Sequence, residues 1–317
     1  MSFLERALEL AERGRGTTAP NPVVGAVVVR DGVVVGEGWH ERPGGPHAEV
    51  VALEAAGERA RGATLYVTLE PCAHHGRTPP CVEAVVAAGV TKVVAAVGDP
   101  DPRTNGAGFE RLRKAGVAVE PAGEELAWRA RVQNEGFRVW AALDRPFVTY
   151  KAAMTLDCRV TAPGSRWVTG EESRRRVHEL RAASDAVAVG MGTVRADAPR
   201  LDARGVDARR QPRRLAFGRG PLPDGSGLEL RPGQLADELR ALAGEGVQTL
   251  LLEGGPTLAT AFLRAGLVDK LLLFVAPILA GSGPRFVRDL EAPAELAHTT
   301  AERIGADVLL TGYLRVP

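Results

Sequence analysis

The sequence predicts an α/β protein made of two successive units. Short β-branched runs alternate with amphipathic helical stretches along the chain. A length of 317 residues is long for one domain and comfortable for two. Leu143-Asp144-Arg145-Pro146 interrupts the alternation with a polar, proline-bearing junction, which places the expected domains at 1–144 and 145–317. Apolar content of 45% and charged content of 25% are ordinary for a soluble chain. A net charge of +1 gives no general basic field and argues against a nucleic-acid partner. No apolar run is long enough to span a membrane, and the start has no basic segment ahead of an apolar one. The three cysteines leave no disulfide framework, so a reducing cytoplasm is expected.

In the first unit, Ser2 and Glu5 form a capping box, and Phe3, Leu4, Ala7, Leu8 and Ala11 give a helical stripe. Residues 17–22 form a loop ending in Pro20-Asn21-Pro22. The two prolines fix the backbone around Asn21, so its amide is either presented outward to a ligand or part of a plain turn. Residues 23–29 and 33–39 read as strands joined by the hairpin Arg30-Asp31-Gly32. A helix follows over 47–56, with Val50, Val51 and Leu53 facing a core. Residues 63–69 read as a buried strand, and Cys81 opens a helix closed by Gly89. A strand at 92–97, a helix at 106–115, a strand at 117–119 and one long helix at 124–140 complete a three-layer α/β unit.

The chemistry gathers in two short runs, His47-Ala48-Glu49 and Pro71-Cys72, with Cys81 beyond them. One imidazole and two thiolates supply three ligands to zinc and leave the fourth tetrahedral position open, as a catalytic site requires. Glu49 stands two residues past His47. It is therefore beside the metal without ligating it, where a carboxylate can carry a proton from water to a leaving amine. His-x-Glu followed by Pro-Cys and a second Cys is the pattern of zinc-dependent nucleobase deaminases. His47 and Cys81 both fall at helix starts, which favours a Cys81 thiolate and an ionised Glu49. The spacing departs from the short Cys-x-x-Cys form. Eight residues separate Cys72 from Cys81, a polar loop with Gly and Pro that reads as an insertion over the mouth of the site. His74 and His75 within it read as loop residues touching substrate or solvent, not as rival ligands.

Pro20-Asn21-Pro22-x-Val24-Gly25, His47-Ala48-Glu49-Val50 and Thr68-Leu69-Glu70-Pro71-Cys72-Ala73-His74-His75-Gly76-Arg77-Thr78-Pro79-Pro80-Cys81 together resemble the bifunctional riboflavin biosynthesis family, in which a pyrimidine deaminase is fused to a reductase. The resemblance covers essentially the whole chain. It implies a cytidine-deaminase-like three-layer α/β/α domain followed by a dihydrofolate-reductase-like α/β domain. It also implies zinc held by His47, Cys72 and Cys81, Glu49 as proton shuttle, and Asn21 and His75 helping to hold the pyrimidine.

In the second unit, residues 147–153 read as a strand with Lys151 near its end. Thr155-Leu156-Asp157 is followed by Cys158, where the family pattern has Gly. Cys158 therefore reads as structural, not as a third metal or redox thiol, and the backbone conformation of that turn stays open. A helix is expected over 171–183 and strands over 185–190, 213–217 and 249–252. Glu253-Gly254-Gly255-Pro256-Thr257 then leads into a helix ending near 265. Two glycines allow close backbone approach, Pro256 suits a first helical turn, and free amides there can bind phosphate, although alone such a turn is as easily a mere connection. Residues 268–277 and 306–314 complete the sheet.

The resemblance implies that Trp167, Thr193, Asp197, Gly255, Pro256, Thr257, Leu258, Ala259, Thr260 and Ala261 touch NADPH. It implies that Ser165, Arg181, Leu201, Arg204 and Glu253 touch substrate. Guanidinium groups at Arg181 and Arg204 suit a ribose 5-phosphate, which they can pair bidentately. The implied reactions are hydrolytic deamination of 2,5-diamino-6-ribosylamino-4(3H)-pyrimidinone 5′-phosphate, then NADPH-dependent reduction of its ribosyl group to 5-amino-6-ribitylaminouracil 5′-phosphate. A homo-oligomer, dimer or tetramer, is implied as well. Two rivals remain at this level. One is a single-activity zinc nucleoside or tRNA deaminase with an accessory C-terminal domain. The other is a zinc-stabilised binding protein, which has no need of Glu49.

Overall fold

The computed structural model describes residues 1–76, 79–102 and 104–317; Arg77 and Thr78 of the Cys72–Cys81 loop lie outside the described residues. The chain forms two compact units, Met1–Leu143 and Asp144–Pro317. Among the described residues, no helix is long and apolar enough to cross a membrane.

The first unit opens with α1 (Phe3–Glu12), whose capping box forms as expected: the Ser2 hydroxyl accepts from Glu5 N–H, and Glu5 accepts from Ser2 N–H. β1 (Gly25–Arg30) and β2 (Val33–Trp39) pair as an antiparallel hairpin. There follow α2 (Ala48–Ala56), a 3-10 turn Gly57–Ala60, β3 (Thr64–Val67), α3 (Cys81–Ala87), β4 (Lys92–Ala95), α4 (Ala107–Lys114), β5 (Ala118–Pro121), α5 (Glu124–Gln133) and α6 (Glu135–Leu143). The sheet order is β2-β1-β3-β4-β5, with β3, β4 and β5 parallel. α1 packs with α5 and α2 with α3, giving helices on both faces of the sheet. α2 lies so close to β2 that a Cβ on Gly38 would come 2.5 Å from Ala48 O, an approach only glycine permits.

The single long helix expected at 124–140 is two helices broken at Asn134. The buried Asn134 amide accepts from Val23 N–H and donates to Val23 O, both at 2.9 Å. These bonds to a distant backbone replace helix continuation, as Asn side chains do when they compete for main-chain partners.

The second unit contains β6 (Phe147–Thr155), α7 (Glu171–Ala183), β7 (Ala186–Gly190), α8 (Met191–Asp197), β8 (Arg213–Phe217), β9 (Glu229–Arg231), α9 (Leu235–Gly244), β10 (Thr249–Leu252), α10 (Pro256–Arg264), β11 (Lys270–Ala276), β12 (Ala297–Ile304) and β13 (Asp307–Tyr313). Its sheet runs β12-β13-β11-β6-β10-β7-β8-β9. The strands from β11 through β9 are parallel, and β13 is antiparallel to β11 and β12. Parallel strands place their carboxyl ends together, where α/β sheets open their ligand crevices. Phe147, Tyr150, Phe262 and Phe274 fill the core. Cys158 adopts the left-handed φ of 64° that glycine normally supplies, and its side chain packs against this core. The turn thus keeps a glycine-like shape around a cysteine.

One ion pair closes this unit. Asp269 is fully buried and accepts two hydrogen bonds from Arg145, at 2.6 and 2.7 Å, and one from Val148 N–H at 2.8 Å. Its backbone carbonyl accepts from Leu314 and Arg315, so the start and the end of the unit meet there. Removing one partner strands the other charge in the core, at a cost of about 3–5 kcal/mol. Asp269→Ala is therefore expected to lower the urea stability of the second unit by about that amount, and an unchanged midpoint would contradict this.

Candidate functional site

In the first unit the chain leaves β3 through Leu69-Glu70-Pro71-Cys72. Glu70 is buried, and its carboxylate accepts four backbone N–H groups. Asp99 and Gly106 bond one oxygen, both at 3.0 Å; Gly108 and Phe109 bond the other, at 2.8 and 3.1 Å. Four donors satisfy a carboxylate that burial alone would not tolerate. They also fasten Asp99 and the start of α4 to the turn before Cys72. A Cβ on Gly108 would lie 2.0 Å from Pro71 O, so glycine is required at that contact.

His47 caps the N-terminus of α2, and Cys81 is the first residue of α3. The ligand atoms of His47, Cys72 and Cys81 lie within 4.8 Å of one another. His47 Nδ1 is 3.1 Å from Cys81 Sγ and 3.6 Å from Cys72 Sγ. Ligand–ligand separations of about 3.5 Å are what zinc bond lengths near 2.0–2.3 Å give in a tetrahedron, so the donor set and its spacing fit zinc. The Cys81 thiol hydrogen-bonds Cys72, holding Cys72 well below an ordinary thiol and pushing Cys81 up. Glu49 is also enclosed, and burial pushes its carboxyl up to about 7. The sequence favours an ionised Glu49 from its helix-start position; desolvation outweighs that field and raises its carboxyl.

A cavity of about 390 Å³ opens beside these groups, lined by Asn21, His40, His47, Glu49, Cys72, His74, Asp99 and Phe137 among others. His40 Nδ1 donates to Pro46 O at 3.0 Å, which leaves Nε2 to accept from the Asn21 amide, also at 3.0 Å. His75 does not line the cavity. It is 74% exposed with Nε2 3.7 Å from Glu83, and its neighbour His74 takes the lining position.

In the second unit a cavity of about 970 Å³ sits at the carboxyl ends of β7 and β10, beside β6. Trp167, Thr193, Asp197, Arg181, Arg204 and Glu253 line it, as do Gly255, Pro256, Thr257 and Leu258 at the start of α10. The rest of that run turns away. Ala259 is in the core, the Thr260 hydroxyl accepts from Arg288 N–H, and Ala261 is exposed. Leu201 is likewise core. Ser165 stands outside the lining and donates to Trp167 O. Arg181 forks onto Glu253 at 2.6 and 3.0 Å, and Lys151 lies 3.5 Å from the same carboxylate. Burial pushes Glu253 up, but the charges of Lys151 and Arg181 outweigh it and hold the carboxyl below its ordinary value. Arg204 is half exposed and pairs with Asp202 at 2.6 Å. Sequence reasoning does not select Lys151, Arg174 or His178 as site residues, yet all three line this cavity. The signal was present on α7: Arg174, His178 and Arg181 are spaced four and three apart, on one helix face.

Two family descriptions match the chain. The cytidine and deoxycytidylate deaminase zinc-binding region matches residues 1–97, and the RibD C-terminal domain matches 146–224 and 230–310. Riboflavin biosynthesis protein RibD of Aquifex aeolicus is 38% identical, covering 98% of this chain and 97% of its own; that of Escherichia coli is also 38% identical, covering 97% of each. Among solved structures, Acinetobacter baumannii RibD superposes with a TM-score of 0.84 at 38% identity, covering 98% of this chain and 97% of its own. A diaminohydroxyphosphoribosylaminopyrimidine deaminase/5-amino-6-(5-phosphoribosylamino)uracil reductase from Thermotoga maritima does so at 0.82 and 33%, with the same coverage.

The cluster geometry makes metal content a direct test. The purified chain is expected to carry about one zinc, and Cys72→Ser or Cys81→Ser to lose most of it. Elemental analysis showing full zinc in both variants would contradict the ligand set.

Proposed function

The chain belongs to the RibD family of bifunctional riboflavin biosynthesis proteins, and on that premise we propose that its two units act in turn on one metabolite. The deaminase is assigned to 1–144 and the reductase to 145–317. The first converts 2,5-diamino-6-ribosylamino-4(3H)-pyrimidinone 5′-phosphate to the corresponding uracil, and the second reduces the ribosyl group to ribityl. The observation that carries this is the placement of a buried carboxyl, Glu49, in one cavity wall with a three-donor zinc cluster.

Zinc, when bound by His47, Cys72 and Cys81, supplies a Lewis acid that makes water nucleophilic at neutral pH. Glu49 takes the proton from the attacking water on a carboxylate oxygen and returns it to the departing amine, so a C–O bond forms, a C–N bond breaks and ammonia leaves. A carboxyl poised near 7 suits both halves of that transfer. His40 holds the Asn21 amide, which positions the pyrimidine. His74 is better placed than His75 for the same task.

In the second unit NADPH, when bound along the Gly255–Leu258 turn, supplies the hydride. The free amides at the start of α10 would hold its diphosphate. Trp167, Thr193 and Asp197 would flank it, and Arg181 and Lys151 fix Glu253 in the cavity lining for the substrate. The nucleoside or tRNA alternative leaves the second unit without a task and is not favoured. The same reading places the chain in the cytoplasm, where Cys72 and Cys81 stay reduced for metal. It also makes the chain a homo-oligomer, dimer or tetramer, and the exposed Val308 and Leu310 on β13 support that.

Glu49→Gln keeps the shape and removes the proton carrier. It is expected to slow ammonia release by about 10²–10⁴-fold while zinc content and reduction of already deaminated substrate stay as in the parent. Wild-type ammonia release from Glu49→Gln would overturn the assignment.

A further inference from the structure

The cavity of the first unit carries an ionisable group that the reaction above does not use. Asp99 lines it with Asn21, Glu49 and Cys72, and stands outside the zinc donor cluster. Asp101 N–H donates to its Oδ1 at 2.9 Å. The Thr104 hydroxyl, which also lies 3.2 Å from Asp101 O, is the other protein donor that reaches the carboxylate. Arg138 of α6 turns aside, its Nη1 donating to Gly98 O at 3.1 Å, and no cation among the described residues forms an ion pair with Asp99. Burial pushes the Asp99 carboxyl up, and the neighbouring charges of Glu70 and Asp101 push the same way. The two donors oppose this without restoring the ordinary value. A carboxylate so placed is stabilised by one more hydrogen-bond donor.

Glu70 fixes where that carboxyl sits. Asp99 N–H donates to Glu70 Oε2 at 3.0 Å, and Glu70 stands two residues before Cys72. One buried carboxylate therefore holds both a zinc donor and Asp99 in the cavity wall. A Cβ on Gly98 would come 3.1 Å from Asn105 Oδ1 and 3.4 Å from Glu70 Oε2, so the chain before Asp99 has little room to shift. The Asn21 amide in the same lining can donate or accept. An ionised Asp99 only accepts.

We propose that Asp99 is a specificity-determining residue of the deaminase and accepts a hydrogen bond from the 5-amino group of the pyrimidine. This rests on the reading of the first unit as a deaminase of the diaminopyrimidine ribosyl phosphate. The amine displaced is the one at ring position 2, so that carbon faces the zinc donors and Glu49. Position 5 lies directly across a six-membered ring from position 2. The group on it points away from the metal, toward a wall that the donor cluster does not occupy. A cytosine ring carries only hydrogen on carbon at position 5 and offers a carboxylate no strong donor there. A site built to hydrogen-bond an N–H rejects the analogue lacking it, because its own polar group is left desolvated and unpaired. Asp99 thereby turns a general zinc deaminase centre against cytidine.

Asp99→Asn tests this in the full-length, zinc-loaded chain, because Asn keeps an Oδ1 for Asp101 N–H while removing the charge and the second acceptor. Ammonia release is followed from the diaminopyrimidine ribosyl phosphate and from its analogue with hydrogen in place of the 5-amino group. The parent is expected to favour the 5-amino compound by about tenfold or more in kcat/KM, as the loss of a charged hydrogen bond usually gives. Asp99→Asn is expected to treat the two compounds within about twofold of each other, through loss on the 5-amino compound alone, with its zinc content unchanged. Asp99→Ser, whose hydroxyl can also cap the turn, is expected to behave alike, which separates lost recognition from a misfitting amide. Parental discrimination in both variants would overturn the proposal. So would equal losses on both compounds, the sign of a disturbed turn and not of a lost contact. A parent chain that releases ammonia from neither compound would overturn the deaminase reading and this assignment with it.

Discussion

The deaminase centre depends on one buried carboxylate, Glu70. Its four backbone bonds tie the exit of β3 to residues 29 to 39 positions further along, Asp99 and then Gly106, Gly108 and Phe109 at the start of α4. A carboxylate in a core is tolerated only when its lone pairs are filled. Filling them here fixes the turn that carries Cys72. The same turn brings Cys72 to the helix starts that present His47 and Cys81, so the ligand spacing follows from a packing constraint. The bare glycine at 108 belongs to the same constraint, because α4 presses against Pro71.

The second unit solves a related problem with charge. Arg181 and Lys151 bracket Glu253, and each satisfies part of a group that burial would otherwise neutralise. Breaking such a set costs more than its formation contributes, since a lone charge remains behind. The cluster therefore holds α7, β6 and the exit of β10 in one register at the carboxyl ends of the sheet, where the cavity opens.

Much of this was legible in the sequence. The two-unit α/β organisation follows from alternating periodicity, and the His47, Cys72, Cys81 set follows from residue chemistry and order alone. What failed to show has physical reasons. β12 is exposed almost throughout, so it has no apolar alternation to read, and β9 has only three residues. α8 is short, while α9 carries a readable stripe in Leu235, Leu239 and Leu242. The break at Asn134 depends on Val23, a partner no local window contains. Helix-end electrostatics favours an ionised Glu49; burial raises its carboxyl instead, and that burial is not visible before the fold is known. His75 and His74 are adjacent in sequence, and only the loop path tells which of them faces the cavity. The resemblance implies Arg181 as a substrate residue and its charge suits a phosphate, while its partner Glu253 lies 72 positions away.

The central claim is that one chain performs hydrolysis and then reduction on the same metabolite. Mass spectrometry of products from the diaminopyrimidine ribosyl phosphate, incubated with and without NADPH, tests it most directly. The account predicts release of ammonia and the deaminated ribosyl compound without NADPH, and with NADPH a product heavier by two hydrogens, one hydride on C1′ and one proton on the oxygen freed as the ring opens. Absence of deamination by zinc-loaded protein, or a deaminated product that NADPH leaves unchanged, would contradict it.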